Sequence, residues 1–293
     1  MTESGLVVVD KPGGMTSHDV VSRVRRLAGT RKVGHAGTLD PMATGVLVLG
    51  VERATRLLGH LTLTEKAYDA TVRLGVATTT DDAEGDATAT VPTAALDEAS
   101  VRDAAARFVG ELEQVPSAVS AIKVDGRRAY ARVRAGEEVE LAARRVTVHE
   151  LVVHDVRLGD DVVDVDLRVR CSSGTYIRAI ARDLGAALGV GGHLTALRRT
   201  RVGPYGVDVA RTLEELAAQP RLGADLDEVV ASVFSHRTVD SQQAWVLAHG
   251  GSLPAVGLTA THAAIDPDGH AIALLTERDG HARPVLVLRP AGD

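Results

Sequence analysis

The chain contains very little cysteine: Cys171 is the single one among 293 residues. One cysteine cannot form an intramolecular disulfide, and no Cys/His cluster has the spacing of a zinc site. Cys171 closes the apolar run VDLRVRC, which favours a buried, inert thiol over a nucleophile. We therefore expect no bound metal, and a reducing compartment such as the cytoplasm.

Long hydrophobic runs and cofactor motifs are also missing. No stretch approaches the length of a membrane span, and the first residues, MTESGLVVVDKPGG, lack the basic start and long apolar run of a signal peptide. There is no G-K-[ST] phosphate loop and no GxGxxG motif followed by an acid, and the acidic loop DDAEGD lacks the spaced ligands of a calcium site. These absences predict a soluble, cytoplasmic protein without a cofactor.

The formal net charge is −6, which is unusual for a protein that binds nucleic acid. Phosphate binding, however, depends on local clusters that a net charge averages away. The basic residues fall in three clusters: Arg23, Arg25, Arg26, Arg31 and Lys32; Lys123, Arg127, Arg128, Arg132 and Arg134; and Arg198, Arg199 and Arg201. Charge runs are commonly just solvated faces, but clusters that flank candidate site motifs favour an RNA-binding cleft.

Residues 34–49, GHAGTLDPMATGVLVL, are the most informative segment. Pro41 restricts the preceding Asp40 to extended conformations and so places its carboxylate at a defined bend. The apolar residues from Val46 to Val51 are typical of a strand buried on both faces. An acid on a loop anchored by a rigid strand is a common active-site arrangement. An Asx turn explains the same residues, and the pattern alone favours that turn.

The segment GHAGTLDPMATGVL resembles the signature of the TruB family, the bacterial pseudouridine synthases that act on uridine 55 in the T loop of tRNA. Three more segments resemble family segments in the same order: VVDKPGGMTSHDVVSRVRR, EKAYDATVRLG and SSGTYIRAIARDLG. Weaker similarity continues through HLTALRRTRVG. Four ordered motifs over roughly two thirds of the chain form a specific signal.

The resemblance implies roles for four catalytic residues. Asp40 matches the family's catalytic aspartate, which acts as a covalent nucleophile or as the base that takes the C2′ proton. Arg178 matches an active-site arginine that keeps this carboxylate ionised and aimed, and Asp82 matches a second acid that shares the arginine. Tyr68 matches a tyrosine whose ring stacks on the flipped uracil.

Other matches concern RNA contacts. Leu197 matches an apolar residue of the uracil pocket, and His35 matches a histidine that enters the RNA stack beside the flipped base. Basic residues assigned to RNA binding are Lys123, Arg127, Arg128, Arg132 and Arg198. Without the resemblance, simpler explanations apply: Leu197 belongs to the core, His35 forms a structural hydrogen bond, Arg178 lies at the surface, and Asp82 belongs to a solvated acidic loop. The neighbouring Asp81 leaves the register of the match at Asp82 open.

We expect an α+β fold in two parts. A mixed-sheet catalytic domain spans residues 1–234 and carries a thumb-like insertion at about 115–146. A small β-rich domain at 235–293 resembles the PUA domain with which family members hold the acceptor end of tRNA; the alternative is an appendage that only packs on the core. The family's insertion opens with paired prolines before an aromatic residue, whereas this chain has VPSAV, so the thumb contacts stay open.

Hydrophobic periodicity predicts the elements that carry these motifs. A strand at Leu6 to Val9 precedes a helix that Ser17 caps and Gly29 ends. Further predictions are helices at 54–61, 97–109, 127–135 and 175–188, a half-buried strand at 68–74, and a hairpin over 145–171 that turns at Gly159 and Asp160.

The resemblance implies an isomerase that flips uridine 55 out of the tRNA T loop, cleaves its glycosidic bond and rejoins C5 to C1′. We expect a monomer that acts on tRNA with no protein partner and no membrane. One rival is a synthase with another RNA target. A second is a tRNA-folding chaperone that binds the elbow region without essential catalysis, although binding alone would not need Asp40, Tyr68 and Arg178 together. A hydrolase using Asp40 would need a second acid or base that the sequence does not nominate.

Overall fold

The computed structural model describes residues 3–117 and 141–292, and between these ranges only the backbone of two short strands, Lys123–Val124 and Arg127–Arg128. The two strands pair antiparallel, so the predicted helix at 127–135 does not begin at Arg127. Apart from these strands, residues 118–140 of the predicted thumb lie outside the described residues. That part includes Arg132 and the side chains of Lys123, Arg127 and Arg128.

A mixed sheet is the frame of the larger part. The strands up to Asp225 are β1 (Gly5–Lys11), β2 (Val33–His35), β3 (Thr44–Val51), β4 (Lys66–Leu74), β5 (Val76–Thr78), β6 (Ala87–Thr90), β7 (Gly110–Gln114), β8 (Lys123–Val124), β9 (Arg127–Arg128), β10 (Arg144–Arg157), β11 (Val163–Cys171), β12 (Gly192–Val202), β13 (Tyr205–Gly206) and β14 (Ala224–Asp225). Ten of them form one sheet in the order β14-β1-β3-β12-β4-β11-β10-β7, with β2 beside β3 and β13 beside β12.

The register of this sheet sets the position of the site. Strands β3 and β12 run parallel, and Arg199 of β12 is paired with Gly45 of β3. On its other side Arg199 is paired with Tyr68 of β4, which runs antiparallel to β12. In this row Arg199 lies between Gly45 and Tyr68. Strand β3, which begins four residues after Asp40, is therefore separated from Tyr68 by β12 alone.

The described residues form seven α-helices, which pack around the large sheet and in the tail. They are α1 (Ser17–Ala28), α2 (Leu58–Thr62), α3 (Glu98–Ala106), α4 (Ile177–Ala187), α5 (Leu213–Ala218), α6 (Leu226–Val233) and α7 (Ser241–Ala248). A 3₁₀ helix, Glu52–Leu57, leads into α2 where a single helix was predicted at 54–61. None of the described helices has the length and apolar character that a membrane crossing requires.

Helix α1 confirms one predicted boundary and corrects the other. It ends at Gly29, whose left-handed backbone (φ 67°) is the conformation that glycine adopts without strain. The prediction that Ser17 is the N-cap was wrong. Thr16 is the N-cap: its hydroxyl accepts the N–H of Asp19, and the Asp19 carboxylate accepts the N–H of Thr16. Ser17 is the first helical residue, and its hydroxyl is bonded elsewhere.

The strand predictions agree with the observed burial. Every residue of β3 after Thr44 is buried, as expected for a strand covered on both faces. Along β4 buried and partly exposed residues alternate at all positions, which is the pattern of a half-buried strand. Strands β10 and β11 form the predicted hairpin, and its turn contains Gly159 and Asp160.

The tail forms a second, smaller sheet. Its strands are β15 (His236–Thr238), β16 (Leu253–Pro254), β17 (His262–Ile265), β18 (Ala271–Arg278) and β19 (His281–Val287), in the order β15-β17-β18-β19-β16. Ala263, Leu274 and Leu288 of this part share a buried cluster with Leu6 and Val8 of β1. The small sheet is therefore joined to the large one by a common apolar core.

Candidate active site

A pocket of about 260 Å³ lies where the loop between β2 and β3 (residues 36–43, the Asp40 loop) meets the start of β4 and the N-terminus of α4. Its lining includes Asp40, Lys66, Tyr68, Tyr176, Arg178 and Leu197. The fold thus brings together three of the four predicted catalytic residues and the predicted uracil-contacting leucine. They come from four separate segments of the chain.

The backbone of the Asp40 loop is held on both sides of Asp40. Before it, the Ser17 hydroxyl donates to the carbonyl of Leu39 (3.0 Å) and accepts the Leu39 N–H (2.9 Å). After it, the Lys11 ammonium donates to the carbonyl of Pro41 (3.2 Å). The direction of the carboxylate is therefore set by the scaffold, as a rigidly supported functional loop requires.

Gly45 allows β3 to approach β12 closely behind this loop. Its φ is +98°, and a Cβ at this position would lie 2.2 Å from the carbonyl oxygen of Arg199. Only glycine combines that backbone conformation with that contact. The buried side chain of Arg199 in turn donates to the carbonyls of Val46 (2.7 Å) and Gly37 (3.0 Å), which ties the loop to β12.

Two carboxylates share the guanidinium of Arg178. Its Nε lies 3.0 Å from Oδ2 of Asp40, and its Nη1 lies 3.4 Å from Oδ2 of Asp82. Nη1 also donates to the carbonyl of Thr80 at 2.8 Å. The side chains of Arg178 and Asp82 are 5% and 3% exposed, whereas that of Asp40 is 36% exposed. Of the two acids, only Asp40 is accessible to a ligand.

The structure distinguishes Asp82 from the neighbouring Asp81, between which the sequence match had left the register open. Asp82 contacts Arg178, while Asp81 lies 3.4 Å from Nη1 of Arg182, one turn further along α4. Asp81 has a left-handed backbone (φ 59°), which turns the chain so that consecutive carboxylates meet different arginines. Asp82 is therefore the second acid of the Asp40–Arg178 network.

The electrostatics of Asp40 are a balance between burial and charge. Burial raises the pKa of Asp40, Arg178 opposes this rise, Asp82 adds to it, and Lys11 opposes it again. Desolvation favours the neutral acid, and a nearby cation favours the carboxylate. Arg178 thus supports the ionised form of Asp40 in a place where burial alone disfavours it.

Two buried lysines border the site and were not predicted from the sequence. Lys11 donates to the carbonyl of Met15 (2.6 Å), and Lys66 donates to that of Thr62 (2.8 Å). Burial lowers the pKa of each ammonium group to about 8. The signal for Lys66 was its position two residues before Tyr68, in phase with the buried face of β4.

Tyr68 forms part of the pocket wall and is 7% exposed. Burial raises the pKa of its phenol, and the neighbouring Arg199 opposes this rise. The hydroxyl is therefore protonated at neutral pH and can donate a hydrogen bond.

The other predicted RNA contacts have different positions. Leu197 lines the pocket and is almost fully buried. His35 lies in β2, with its ring edge-to-face against that of His18 at a centroid distance of 5.7 Å. Arg198 is outside the pocket lining, and its guanidinium forms a two-point ion pair with Asp10 at 2.7 and 3.0 Å. The structure therefore brings Leu197 to Asp40 but not Arg198.

Cys171 is buried, as predicted, and burial raises the pKa of its thiol to about 11. A thiol in that state is a poor nucleophile. In the described ranges, no group of three or more His, Cys, Asp and Glu side chains is arranged to hold a metal ion. The chemistry of the pocket thus centres on Asp40.

Three family profiles match consecutive parts of the chain. The profile of the TruB family pseudouridylate synthase N-terminal domain matches residues 25–177. The tRNA pseudouridylate synthase B C-terminal domain profile matches residues 178–233, and the tRNA pseudouridine synthase II C-terminal profile matches residues 234–289.

Curated relatives are similar over nearly the whole chain. The tRNA pseudouridine synthase B of Nocardia farcinica is 63% identical, and the match covers 98% of this chain and 94% of the relative. The protein of the same name from Rhodococcus jostii is 58% identical over 98% of this chain and 95% of its own length.

Solved structures show the same fold at lower identity. A chain from the crystal structure of a Cbf5-Nop10-Gar1 complex aligns with a TM-score of 0.75 at 25% identity, over 98% of this chain and 85% of that chain. A chain from the archaeal box H/ACA sRNP Nop10-Cbf5 complex aligns with a TM-score of 0.72 at 26% identity, over 99% and 88%. The predicted α+β fold is confirmed.

Fold, pocket and matches define the class as a pseudouridine synthase, an enzyme that isomerises uridine within RNA. The chain belongs to the TruB family of pseudouridylate synthases, as the four sequence motifs predicted.

Proposed function

We propose that this protein converts uridine 55 in the T loop of tRNA to pseudouridine, with Asp40 as the reacting carboxylate. The observation that carries the proposal is the ion pair between the accessible Asp40 and the buried Arg178 at 3.0 Å, inside a pocket of about 260 Å³. The similarity to relatives named tRNA pseudouridine synthase B supports tRNA as the substrate.

The pocket suits one extruded base. A uridine paired or stacked within an RNA loop cannot present C1′ and C6 to a recessed carboxylate, so the nucleotide must rotate out of the stack. Leu197 and the ring of Tyr68 provide apolar walls for a pyrimidine, and the protonated Tyr68 hydroxyl provides a donor. Such a mixture of apolar surface and few polar groups is typical of a small-ligand site.

Both chemical routes begin with ionised Asp40. In the covalent route a carboxylate oxygen bonds to C1′, and the N1–C1′ electron pair leaves with the uracil; C5 of the rotated base then displaces the carboxylate. In the glycal route the carboxylate takes the C2′ proton while the N1–C1′ bond breaks, and C5 adds to C1′ as the proton returns. Each route ends when the C5 proton is lost and N1 gains one, so the isomerisation needs no oxidant or cofactor.

The uracil carries negative charge while it is detached, and buried cations border the pocket. Lys66 and Arg199 both belong to its lining, and both are almost fully buried. Fixed positive charge near a developing anion lowers the barrier, because it needs no reorganisation during the reaction. We therefore assign to them electrostatic support of the detached base.

RNA binding extends beyond the pocket in this proposal. The catalytic domain comprises residues 1–234, and the β-rich part at 235–293 acts as a PUA-like domain that holds the acceptor end. His35 enters the RNA stack, and the basic residues assigned to RNA binding, among them Arg128 and Arg198, contact phosphates. The protein acts on tRNA in the cytoplasm without a protein partner, in contrast to the solved relatives named as complexes with Nop10 and Gar1.

The test is tritium release from a tRNA transcript labelled as 5-³H-uridine, since C5 loses its hydrogen in the reaction. We expect release from the T-loop uridine by the wild type and none by Asp40→Asn, which keeps the size of the side chain but not its charge. Asp164→Asn is the matched control, because Asp164 also pairs with an arginine, Arg73, but outside the pocket. Both variants should bind tRNA as the wild type does.

Three outcomes contradict the proposal. An inactive wild type, with an active control enzyme on the same RNA, removes the proposed substrate. Release by Asp40→Asn at the wild-type rate removes the role of Asp40. Tight tRNA binding by the wild type and both variants, with no tritium release from any of the three proteins, favours the chaperone function instead.

A further inference from the structure

Gln114 is the last residue of β7, and its side chain reaches the start of α4. Its amide oxygen accepts the N–H of Tyr176 at 2.8 Å, and its amide nitrogen donates to the Tyr176 carbonyl at 3.1 Å. Gln114 is 4% exposed, so water does not replace these bonds. One side chain thus satisfies both backbone groups of one residue, as a neighbouring strand would.

This clamp acts at the start of α4, where the side chain of the N-cap residue does not cap the helix. Tyr176 is the N-cap residue of α4, and it makes no side-chain capping bond. Free N–H groups at a helix start otherwise leave the first turn weakly fixed. Arg178 belongs to that first turn, so the backbone of Tyr176 determines where its guanidinium lies.

A second contact joins Val115, the residue after β7, to α4. Arg182 donates from Nη2 to the carbonyl of Val115 at 2.8 Å, while its Nη1 lies 3.4 Å from Asp81. Gln114 and Val115 therefore bind α4 at two places, Tyr176 and Arg182, on either side of Arg178. The segment that enters the insertion is therefore hydrogen-bonded on both sides of Arg178, the residue that pairs with the Asp40 carboxylate.

We propose that Gln114 is a positioning residue for the isomerisation: it holds the first turn of α4, and through Arg178 it keeps Asp40 aimed into the pocket. This inference rests on the proposed function. Gln114 is absent from the pocket lining, so it acts only through Tyr176 and Arg178. A displacement of about 1 Å at a reacting group can reduce the rate roughly a hundredfold.

Positioning has a signature in the pH profile. The charged and titratable groups that face Asp40 are Arg178 from α4, Asp82 from the acidic loop, Lys11 from β1 and Tyr68 from β4. When Arg178 moves away, its lowering effect on the Asp40 pKa weakens. The carboxyl then titrates at higher pH, and the acidic limb of kcat moves upward.

The experiment compares Gln114→Leu with Thr93→Val in the full chain. Both changes keep the approximate size of a buried side chain and remove its hydrogen bonds to backbone. Thr93 donates to the carbonyl of Gly159 at 2.7 Å, away from the pocket. Tritium release would be measured between about pH 4 and 8.5, a range that starts at the ordinary pKa of an aspartate, about 3.9, together with tRNA affinity and thermal unfolding.

We expect Gln114→Leu to lower kcat about tenfold to a hundredfold, with KM and tRNA affinity within about twofold and an acidic limb at higher pH. Thr93→Val should retain the wild-type kcat and pH profile at a similar loss of thermal stability. If Gln114→Leu does not fold, Gln114→Met carries the comparison, because methionine fills a similar volume with a flexible side chain, removes both hydrogen bonds and introduces no charge.

Equal kcat in the Gln114 and Thr93 variants, or a reduced kcat with an unmoved acidic limb, would overturn the positioning role. An active wild type is required for either result. If the wild type releases no tritium from tRNA, the proposed function fails, and this inference fails with it. An unaffected Gln114→Leu beside an active wild type refutes the inference alone.

Discussion

Replacing Arg178 by methionine removes the cation that Asp40 and Asp82 share, and we expect a loss of stability that depends on pH. The exposed fractions of the Arg178 and Asp82 side chains are only 5% and 3%. Removing one partner of a buried ion pair costs about 3–5 kcal/mol, because the remaining charge is left without compensation. The free energy of unfolding should fall by about this amount at pH 8.

The pH dependence follows from the direction of the Asp40 shift. Burial already raises the pKa of Asp40 above its ordinary value, and Arg178 opposes that rise. Without the arginine the folded-state pKa rises further, so ionisation of Asp40 opposes folding more strongly. This penalty is complete above the folded-state pKa and absent below the unfolded value of about 3.9. The deficit of the variant should therefore be largest at pH 8 and shrink as the pH falls through the raised folded-state pKa of Asp40.

Urea unfolding of wild type and variant at several pH values measures this difference. Arg73→Met is the matched control, since Arg73 lies 2.8 Å from Asp164 but the two side chains are 40% and 22% exposed. An exposed pair of this kind contributes about 0–1 kcal/mol. A deficit for Arg178→Met that stays constant from pH 8 down to the ordinary pKa of an aspartate, about 3.9, or that equals the deficit of Arg73→Met, would refute the shared-cation reasoning.

Two further substitutions test the acidic loop and the strand behind the site. Asp82→Asn removes a group that raises the Asp40 pKa, so the acidic limb of kcat should move to lower pH. The control Asp81→Asn should leave this limb in place. Equal shifts in both pH profiles would contradict the assignment of Asp82 to the Asp40–Arg178 network. Gly45→Ala should destabilise the fold by at least about 2 kcal/mol, because backbone strain of about 1–3 kcal/mol is added to a contact with Arg199. A Cβ added at Gly59 would have no atom within 4 Å, so Gly59→Ala should change the free energy of unfolding by less than about 1 kcal/mol in denaturant titrations. Similar losses of stability for both glycine variants would contradict the close approach at Gly45.

Local patterns were enough to predict the strands that carry the site. The continuous apolar run of β3 and the alternation of β4 depend only on which faces are buried, and burial is encoded residue by residue. The N-cap of α1 was misassigned because Thr16 and Ser17 are both competent caps. The choice between them was made by a distant partner, since Ser17 bonds the backbone of Leu39.

The parts that sequence reasoning missed all depend on tertiary register. A lysine is expected at the surface, and nothing local indicates that Lys11 is buried beneath the Asp40 loop. The same holds for Gln114, whose partner Tyr176 follows 62 residues later in the chain. These contacts arise only when strands from distant segments pair, as β3 and β12 do. The sequence therefore nominated Asp40 and Arg178, but not Lys11 and Gln114, whose hydrogen bonds hold the backbone around them.

The charge distribution resolves the conflict between an acidic chain and an RNA substrate. The net charge is −6, yet four cations, Lys11, Lys66, Arg178 and Arg199, are buried around the pocket within the described residues. Their charges are poorly screened because water is excluded, so each acts more strongly on a bound anion than a surface charge would. Most acids of the chain face solvent, where counter-ions weaken their repulsion of phosphate. A chain that is acidic as a whole can therefore still carry a local group of buried cations around the pocket that contains Asp40.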